Sequence, residues 1–291
     1  MTTTRVTVLG SINMDLTTVA ATLPRPGETV LGDTFSTSQG GKGANQAIAA
    51  ARSGASTAFH GAVGDDAFAD ELAASLADAG VDTLHLRRVA GPSGIAAITV
   101  DHAGQNSIVV VAGANSSVDD LTDDELSTIA DADILLCQLE IPMSTVVAGA
   151  AHAHAHGTLV MLNPSPVQVL PDDLVATVDV LVVNEAEAEA VGTDVLDRID
   201  HVVTTLGAAG ARYRGPTSSF DVRAPEVEAI DTTGAGDAFT GALAAEWFSG
   251  SEEALGWACA AGAFATTRRG AGSSSGMRSD IESILADTVK P

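Results

Sequence analysis

Short apolar segments rich in β-branched residues alternate with longer alanine-rich segments along the first two thirds of this chain. This alternation predicts βαβ units, in which a mainly parallel sheet lies between two layers of helices. Strands such as VLVV, apolar at every position, suit a sheet covered on both faces. The strand-like segments are 5–9, 58–63, 134–137, 159–162, 180–183 and 202–206. The helix-like segments are 43–53, 67–79, 144–156, 185–191, 238–249, 254–267 and 279–286.

Two segments, at about 17–38 and 94–111, interrupt the alternation. The first holds two prolines among several Thr and Val residues, a pattern typical of extended chain with turns. The second contains the runs IAAITV and NSIVVV joined by DHAGQ, which predicts a hairpin. We expect the two segments to form a small β lid on a single domain that spans 1–291; the alternative is an ordinary surface excursion.

The charge balance and the apolar pattern exclude several classes of partner. The chain has 38 Asp and Glu residues against 14 Lys and Arg, a formal net charge of −24. So acidic a surface repels nucleic-acid phosphates, and no nucleic-acid partner is expected. Two cysteines are too few for a disulfide framework, and no apolar run has the length of a membrane span. The sequence therefore predicts a cytoplasmic protein with buried thiols and no membrane partner.

The motif DTTGAGDAFTGA, at 231–242, places glycines before a predicted helix and after the strand-like stretch VEAI. Glycines let backbone N–H groups converge on an anion there, and the helix N-terminus adds partial positive charge. A carboxylate at Asp237 could remove a proton from a hydroxyl group while the N–H groups bind a phosphoryl group. The alternative is an ordinary helix cap, since Asp and Gly are common at helix starts.

Two motifs carry residues suited to a polyhydroxy ligand. GSINMD, at 10–15, follows the first strand, so that Asn13 and Asp15 could hydrogen-bond to hydroxyl groups or form an Asx turn. QGGKGANQA, at 39–47, contains Lys42, one of only two lysines, with Asn45 close behind. Its alternative is a glycine turn with a solvated lysine. Both motifs lie near the carboxyl ends of predicted strands, where open α/β sheets bind their ligands.

A fourth motif, NEAE at 184–187, follows another predicted strand. Asn184 and Glu187 would lie on one face of a first helical turn, which suits a hydrated Mg²⁺ beside nucleotide phosphates. The same spacing is typical of a capping box.

Several motifs in order resemble the PfkB-type sugar kinase family nearly from end to end: GSINMD, GGKGANQA, LLCQLEIP, LNPSP, NEAEAE, TLGAAG and DTTGAGDAFTGA. The first two, with Glu140, resemble the ribokinase branch more than nucleoside or fructose kinases. The resemblance implies a ribokinase-like three-layer α/β/α fold, with a mainly parallel central sheet and a small β lid that often forms a homodimer. The implied reaction transfers phosphate from ATP to the 5-hydroxyl of D-ribose.

The resemblance also implies roles for individual residues. Catalysis is implied for the base Asp237 and for an anion hole formed by Gly234, Ala235 and Gly236. Sugar binding is implied for Asn13, Met14, Asp15, Gly41, Lys42, Gly43, Ala44, Asn45, Glu140 and Asp237. Nucleotide binding is implied for Asn184, Thr205, Leu206, Gly207, Ala208, Ala209, Gly210, Gly236, Asp237 and Cys259. Metal binding is implied for Glu187 near Mg²⁺ and, around an activating K⁺, for Asp231, Thr233, Ala265, Arg268, Gly270 and Ser274.

Two features depart from the family pattern. Cys259 stands where ribokinases usually have His or Asn beside the adenine. The segment between Gly192 and Val202 is shorter than usual by the length of a helix, so an apolar face could be exposed there or covered by a partner.

Two other functions stay open: a related kinase for another sugar or a nucleoside, and a sugar- or nucleotide-binding relative without catalysis.

Overall fold

The structure is a computed structural model that describes residues 3–288, and its strands and helices have the following bounds. The strands are β1 (Arg5–Leu9), β2 (Asn13–Ala20), β3 (Gly32–Gly40), β4 (Ser56–Val63), β5 (Leu86–Arg88), β6 (Gly94–Asp101), β7 (Asn106–Val111), β8 (Ile134–Cys137), β9 (Leu159–Leu162), β10 (Val180–Asn184), β11 (His201–Thr205), β12 (Ala211–Arg214) and β13 (Ser219–Val222). The helices are α1 (Lys42–Arg52), α2 (Ala69–Asp78), α3 (Asp123–Asp131), α4 (Met143–His156), α5 (Asp172–Val175), α6 (Glu185–Val191), α7 (Thr193–Leu196), α8 (Ala235–Glu246), α9 (Ser251–Thr266) and α10 (Arg278–Thr288).

The larger sheet has the strand order β13-β12-β11-β10-β9-β8-β1-β4-β5. The pairs from β11 to β5 are parallel, and β12 and β13 continue the sheet antiparallel at one edge. The predicted mainly parallel sheet is confirmed, and each predicted strand lies within two residues of its expected bounds. The sequence patterns did not indicate β5, β12 or β13, because these strands are short and partly exposed.

Alternate side chains of each central strand enter two separate cores, as expected for three layers. Along β10, Val180 and Val182 pack in the core under α1, α2, α8 and α9. Leu181 and Val183 pack in the opposite core under α3, α4 and α5. The period of two in a strand sends successive side chains to opposite faces, so an all-apolar strand supplies both cores. None of the described helices combines the length and the apolarity that a bilayer crossing demands.

A second, smaller sheet has the order β3-β2-β6-β7. Segments 17–38 and 94–111 supply most of it, which confirms the expected small sheet. Strand β2 starts at Asn13, earlier than expected, and pairs with β3 and β6 along its whole length. The Asx turn considered for Asn13 and Asp15 is therefore wrong, because both residues lie in a paired strand.

Helix α8 begins at Ala235, three residues before the predicted start, which places Asp237 in its first turn. The stretch VEAI, at 227–230, is not a strand. Instead, the backbone N–H groups of Ile230 and Asp231 both donate to the carbonyl of Thr266 at the end of α9, over 2.7 and 3.1 Å. The segment before α8 is therefore held against the C-terminal end of α9 and is not a strand of the sheet.

The short connection after Gly192 does not leave the adjoining core open. Val195 and Leu196 of α7 pack against the core beneath α4. Ile199, just beyond, is 1% exposed. One short helical turn therefore covers this face without a partner.

Candidate active site

Asp237 lies in the first turn of α8, close to the carboxyl ends of β10 and β11. Gly234 precedes the helix with a left-handed φ of 73°. A Cβ on Gly234 would lie 2.7 Å from the Cα of Ala271, so neither the conformation nor the space admits a side chain. Glycine at this position allows α8 to start against the loop that follows α9.

The first turn of α8 leaves backbone donors free. The N–H of Ala235 donates to the carbonyl of Thr232 over 3.2 Å. The N–H groups of Gly236 and Asp237 have no acceptor among residues 3–288. A Cβ on Gly236 would meet no atom within 4 Å, so the space in front of it is open. Free N–H groups at a helix N-terminus attract an anion.

Two side-chain amides from α1 hold the carboxylate of Asp237. Asn45 Nδ2 donates to Oδ2 and Gln46 Nε2 donates to Oδ1, each over 2.9 Å. Asp237 is 9% exposed and both amides are buried. The carboxylate is therefore fixed in orientation while its edge still borders a cavity.

Further amides continue this network, and sequence analysis gave none of them a role. Gln46 Nε2 also donates to Asn163 Oδ1 over 3.1 Å, and Gln138 Nε2 donates to Gln46 Oε1 over 2.6 Å. Asn163 Nδ2 in turn donates to the carbonyl of Val182 over 2.9 Å. The available signal was an amide in an apolar setting, as in LLCQLEIP and LNPSP, but only the tertiary contacts reveal its partners.

Glu140 binds the start of α1 to the connection between β1 and β2. Its Oε2 accepts from the hydroxyl of Ser11 over 2.5 Å and from the backbone N–H of Lys42 over 3.0 Å. Gly41 has a φ of 88°, and a Cβ there would lie 2.8 Å from the backbone nitrogen of Asn13. The glycine loop thus brings the backbone of Gly41 and Lys42 beside Asn13 and Glu140.

The side chains of Asn13 and Asp15 share one face of β2, whereas Met14 between them is fully buried in the core. The carboxylate of Asp15 lies against Gly40, where a Cβ would come within 2.2 Å of Oδ1. None of the residues from 3 to 288 donates a hydrogen bond to this carboxylate. Burial, with the nearby charges of Glu140 and Asp237, raises the pKa of Asp15 to about 7.

The remaining residues of the glycine loop divide between the site and the core. Ala44 is buried in the core, and Gly43 is the second residue of α1. A Cβ on Gly43 would lie 2.6 Å from the backbone nitrogen of Ser11, so the helix can approach this strand connection only with glycine. Met14 and Ala44 therefore shape the site through the backbone, not through their side chains.

Lys42 supplies a positive charge among several carboxylates. Burial lowers its pKa, but the charges of Asp237, Glu140 and Glu187 outweigh burial and hold the pKa above its usual value. Lys42 therefore remains an ammonium ion at neutral pH. It faces a cavity of about 150 Å³ whose walls include Lys42, Asn163, Asn184, Glu187, Gly236 and Asp237.

A second, larger cavity of about 630 Å³ adjoins the first at Thr205 and Gly236. Its walls include the predicted residues Thr205, Gly207, Ala208, Gly210, Ala235 and Cys259. Leu206 and Ala209 belong to the same turn as Gly207 but do not reach the cavity. Cys259 is buried on α9, and burial raises the pKa of its thiol to about 12. This wall is mostly apolar, as is typical of a pocket for a small molecule.

Asn184 and Glu187 form the capping box of α6. Asn184 Oδ1 accepts from the backbone N–H of Glu187 over 2.8 Å, and Glu187 Oε2 accepts from that of Asn184 over 2.9 Å. The capping box, which the sequence offered as the alternative to a Mg²⁺ site, is thus present in the structure. Within residues 3–288 no hydrogen bond reaches Glu187 Oε1, and both residues line the smaller cavity.

The residues of the expected K⁺ site lie where the end of α9 meets the approach to α8. Asp231 joins the two loops, since its carboxylate accepts from the N–H groups of Thr233 over 2.9 Å and Gly270 over 3.0 Å. Burial raises the Asp231 pKa, but these hydrogen bonds outweigh burial and hold the pKa below its usual value.

The other expected K⁺ residues already have local partners. The carbonyl of Ala265 accepts from the N–H of Arg268 over 3.2 Å, and the Arg268 guanidinium lies 4.3 Å above the ring of Phe264. The hydroxyl of Ser274 donates to the carbonyl of Ala271 over 2.7 Å. The structure therefore brings Asp231, Thr233 and Gly270 together, with the other three nearby in the chain.

Known proteins resemble this chain along nearly its whole length. The model of the pfkB family carbohydrate kinases matches residues 3–277. The ribokinase of Haemophilus influenzae is 38% identical over 298 residues, covering 96% of this chain and 97% of that protein. The ribokinase of Bacillus subtilis is 36% identical over 293 residues, covering 96% and 98%. The solved structure of Arabidopsis thaliana ribokinase complexed with ribose and ATP has a TM-score of 0.90 at 31% identity, covering 98% of this chain and 99% of that one.

Proposed function

This chain belongs to the pfkB family of carbohydrate kinases, which transfer phosphate to a hydroxyl group, and we propose that it phosphorylates the 5-hydroxyl of D-ribose with ATP. One observation carries the proposal: a small polar cavity and a larger apolar cavity meet at the first turn of α8, beside Asp237. The relatives named ribokinase support ribose as the acceptor.

Asp237 acts as the base in the proposed reaction. Its carboxylate takes the proton of the sugar hydroxyl, whose oxygen forms a bond to the γ-phosphorus of ATP while the bond to the β,γ-bridging oxygen breaks. The free N–H groups at the start of α8 stabilise the charge that develops on the phosphoryl oxygens. Of the expected anion hole Gly234, Ala235 and Gly236, only Gly236 supplies one of these free donors, with Asp237 beside it, because the N–H of Ala235 donates to the carbonyl of Thr232. Lys42 adds a positive charge on the sugar side.

The sugar lies between β2 and the start of α1 in this proposal. Asp15 has no donor within the described residues, so its oxygens are free to accept from sugar hydroxyl groups. Asn13, Lys42, Asn45 and Glu140 complete the polar surface around it. Gly41 and Gly43 permit the close approach of the two backbone segments, and the backbones of Met14 and Ala44 complete that wall.

ATP lies with its base in the larger cavity and its phosphates towards Gly236. The cavity wall formed by Thr205, Gly207, Ala208, Gly210 and Cys259 supports this orientation. Glu187, with an unused carboxylate oxygen beside Asn184, fits a hydrated Mg²⁺, for which hard oxygen ligands are suitable. When bound there, Mg²⁺ would neutralise charge on the phosphates.

A monovalent cation fits the junction of the two loops that Asp231 joins. Backbone carbonyl oxygens can replace the hydration shell of K⁺, and a carboxylate adds negative charge. Asp231 and the carbonyl groups near it supply such oxygens directly behind the anion hole. The proposed ligands are Asp231, Thr233, Ala265, Arg268, Gly270 and Ser274, with Arg268 contributing only its carbonyl.

The small sheet serves as a lid of a single kinase domain and as the contact between two subunits. All six residues of its edge strand β7 are exposed, and Ile108, Val109, Val110 and Val111 are apolar. Phe35 on the opposite edge strand is also exposed. An exposed apolar edge of this kind favours pairing with a second copy. We place the enzyme in the cytoplasm, since it consumes ATP and both cysteines are free thiols.

A panel of acceptors tests the proposed function. ADP release is measured with purified protein, ATP and Mg²⁺, and with ribose, deoxyribose, fructose or adenosine as acceptor. We expect the highest kcat/KM with ribose, and ribose 5-phosphate as the product by phosphorus NMR. Faster turnover of another acceptor would assign the enzyme to a related kinase. Sugar binding without ADP release would identify a relative without catalysis.

A further inference from the structure

The hydrogen-bonding direction of the amides behind Asp237 can be followed from a backbone carbonyl. The carbonyl of Val182 can only accept, so the amide that meets it must present its NH₂ group, as Asn163 does over 2.9 Å. The Oδ1 of Asn163 is then directed to Gln46. An oxygen in that position requires an N–H donor from Gln46.

Gln46 satisfies this requirement and a second one with the same group. Its NH₂ has two hydrogens, one for Asn163 Oδ1 over 3.1 Å and one for Asp237 Oδ1 over 2.9 Å. Its Oε1 accepts from Gln138 Nε2 over 2.6 Å. The side chain is fully buried, and both hydrogens and the oxygen of its amide have a partner. If the Gln46 amide were rotated by 180°, its Oε1 would face Asn163 Oδ1 and Asp237 Oδ1, and two acceptor pairs would repel each other.

The arrangement also restricts the rotation of the Asp237 carboxylate. Oδ1 is held by Gln46, and Oδ2 is held by Asn45, whose own Oδ1 accepts from Gln39 Nε2 over 3.1 Å. Two donors on two different oxygens leave the carboxylate a single orientation. A base that must accept a proton from a hydroxyl group needs such a fixed direction.

We propose that Gln46 is a positioning residue, which fixes the direction of the Asp237 carboxylate through an amide chain anchored at the backbone of β10. This inference rests on the proposed role of Asp237 as the base. Gln46 itself contacts neither the sugar nor the nucleotide in this proposal, and it acts only through Asp237.

Gln46→Glu is the sharpest variant, because it keeps the shape of the side chain and replaces the donor by a carboxylate oxygen. Gln46→Met removes the donor without adding charge. Gln105→Glu, on an exposed turn of the small sheet, adds the same charge far from Asp237. The charged groups near Asp237 include Lys42 from α1, Asp15 from β2 and Glu187 from α6, and all are retained in every variant.

Two measurements compare these variants with the wild type. The first is the titration of the Asp237 carboxyl carbon by carbon-13 NMR, in protein labelled at aspartate, with Asp237→Asn identifying the signal. The second is kcat for ribose against pH, together with KM. The NMR titration needs no turnover. Its result therefore stands even if ribose is not the substrate, whereas a wild type inactive towards every acceptor refutes the proposed function instead.

We expect the titration midpoint and the acid limb of kcat in Gln46→Glu to rise together by about one pH unit or more, because two carboxylates then share the site. Gln46→Met should move both in the same direction by less, and Gln105→Glu should match the wild type. In both Gln46 variants kcat should fall while KM for ribose stays near its original value. An unmoved midpoint in Gln46→Glu overturns the proposal. If that variant does not fold, an unmoved midpoint in Gln46→Met overturns it equally.

Discussion

Ribose affinity should depend on pH through Asp15. This carboxylate lies against Gly40 without a donor among residues 3–288, and burial with two neighbouring negative charges raises its pKa to about 7. A sugar hydroxyl donates to the ionised carboxylate, so binding favours that form. Protonation of the free site therefore competes with ribose as the pH falls below 7.

The size of the effect follows from that pKa. If the bound form is ionised, the apparent Kd is multiplied by one plus the ratio of protonated to ionised Asp15. This factor is about 11 at pH 6 and about 1.1 at pH 8, so affinity should weaken about tenfold between these pH values. Binding should release about 0.9 proton at pH 6 and about 0.1 at pH 8.

Isothermal titration calorimetry of ribose at pH 6, 7 and 8, in buffers of different ionisation enthalpy, measures both quantities. Asp15→Asn is the matched variant, because it keeps the shape and loses the titration. Its affinity should be weaker overall and nearly constant across this range. A wild-type affinity that does not change with pH would refute the argument from burial. A tenfold change that persists in Asp15→Asn would assign the titration to a different group.

Three further predictions concern the base, the cation and the core. Asp237→Asn should retain ribose binding by calorimetry and lose about 10²–10⁴-fold in kcat; turnover near the wild-type rate would exclude Asp237 as the base. Activity should rise with K⁺ and respond weakly to Na⁺ at equal ionic strength, and equal rates in the two salts would remove the cation site. His60 is buried without a partner for either ring nitrogen among residues 3–288, and burial with His85 lowers its pKa to about 4. The unfolded chain binds this proton near a pKa of 6.5, so the contribution of His60 to stability falls by about 2 kcal/mol between pH 7 and 5. Asp15, whose pKa is raised to about 7, gains a similar amount over the same range, so the loss is read as the difference between the wild type and His60→Gln in urea unfolding. The stability of the wild type relative to His60→Gln should fall as the pH is lowered from 7 to 5, whereas a difference that does not change with pH contradicts the assignment.

The central sheet was predictable because its signal is local. Strands such as β8 and β10 are apolar at every position, and that pattern is typical of burial on both faces whatever the rest of the chain does. The antiparallel strands β12 and β13 carry no such signal, since most of their side chains are not buried. Their pairing depends on the neighbouring strand, which a local pattern does not contain.

The start of α8 shows the same limit at the site. The glycines and Asp237 were recognisable from composition, and a helix was expected from residue 238. The helix begins at Ala235 because Gly234 adopts a left-handed conformation against Ala271, a contact with a distant loop. Because the helix starts three residues earlier than predicted, Asp237 lies inside its first turn, where the free N–H groups are.

By itself the sequence determined the layered α/β architecture, the four polar motifs and the carboxylate that the site is built around, because periodicity and residue type depend on near neighbours in the chain. The tertiary structure alone decided which groups hold that carboxylate. Gln46 and Asp237 are 191 residues apart, and Gln138 and Asn163 join them from two different strand ends. Hydrogen bonds of this kind depend on distances of a few tenths of an ångström and on amide direction, which exist only once the sheet and its helices have packed.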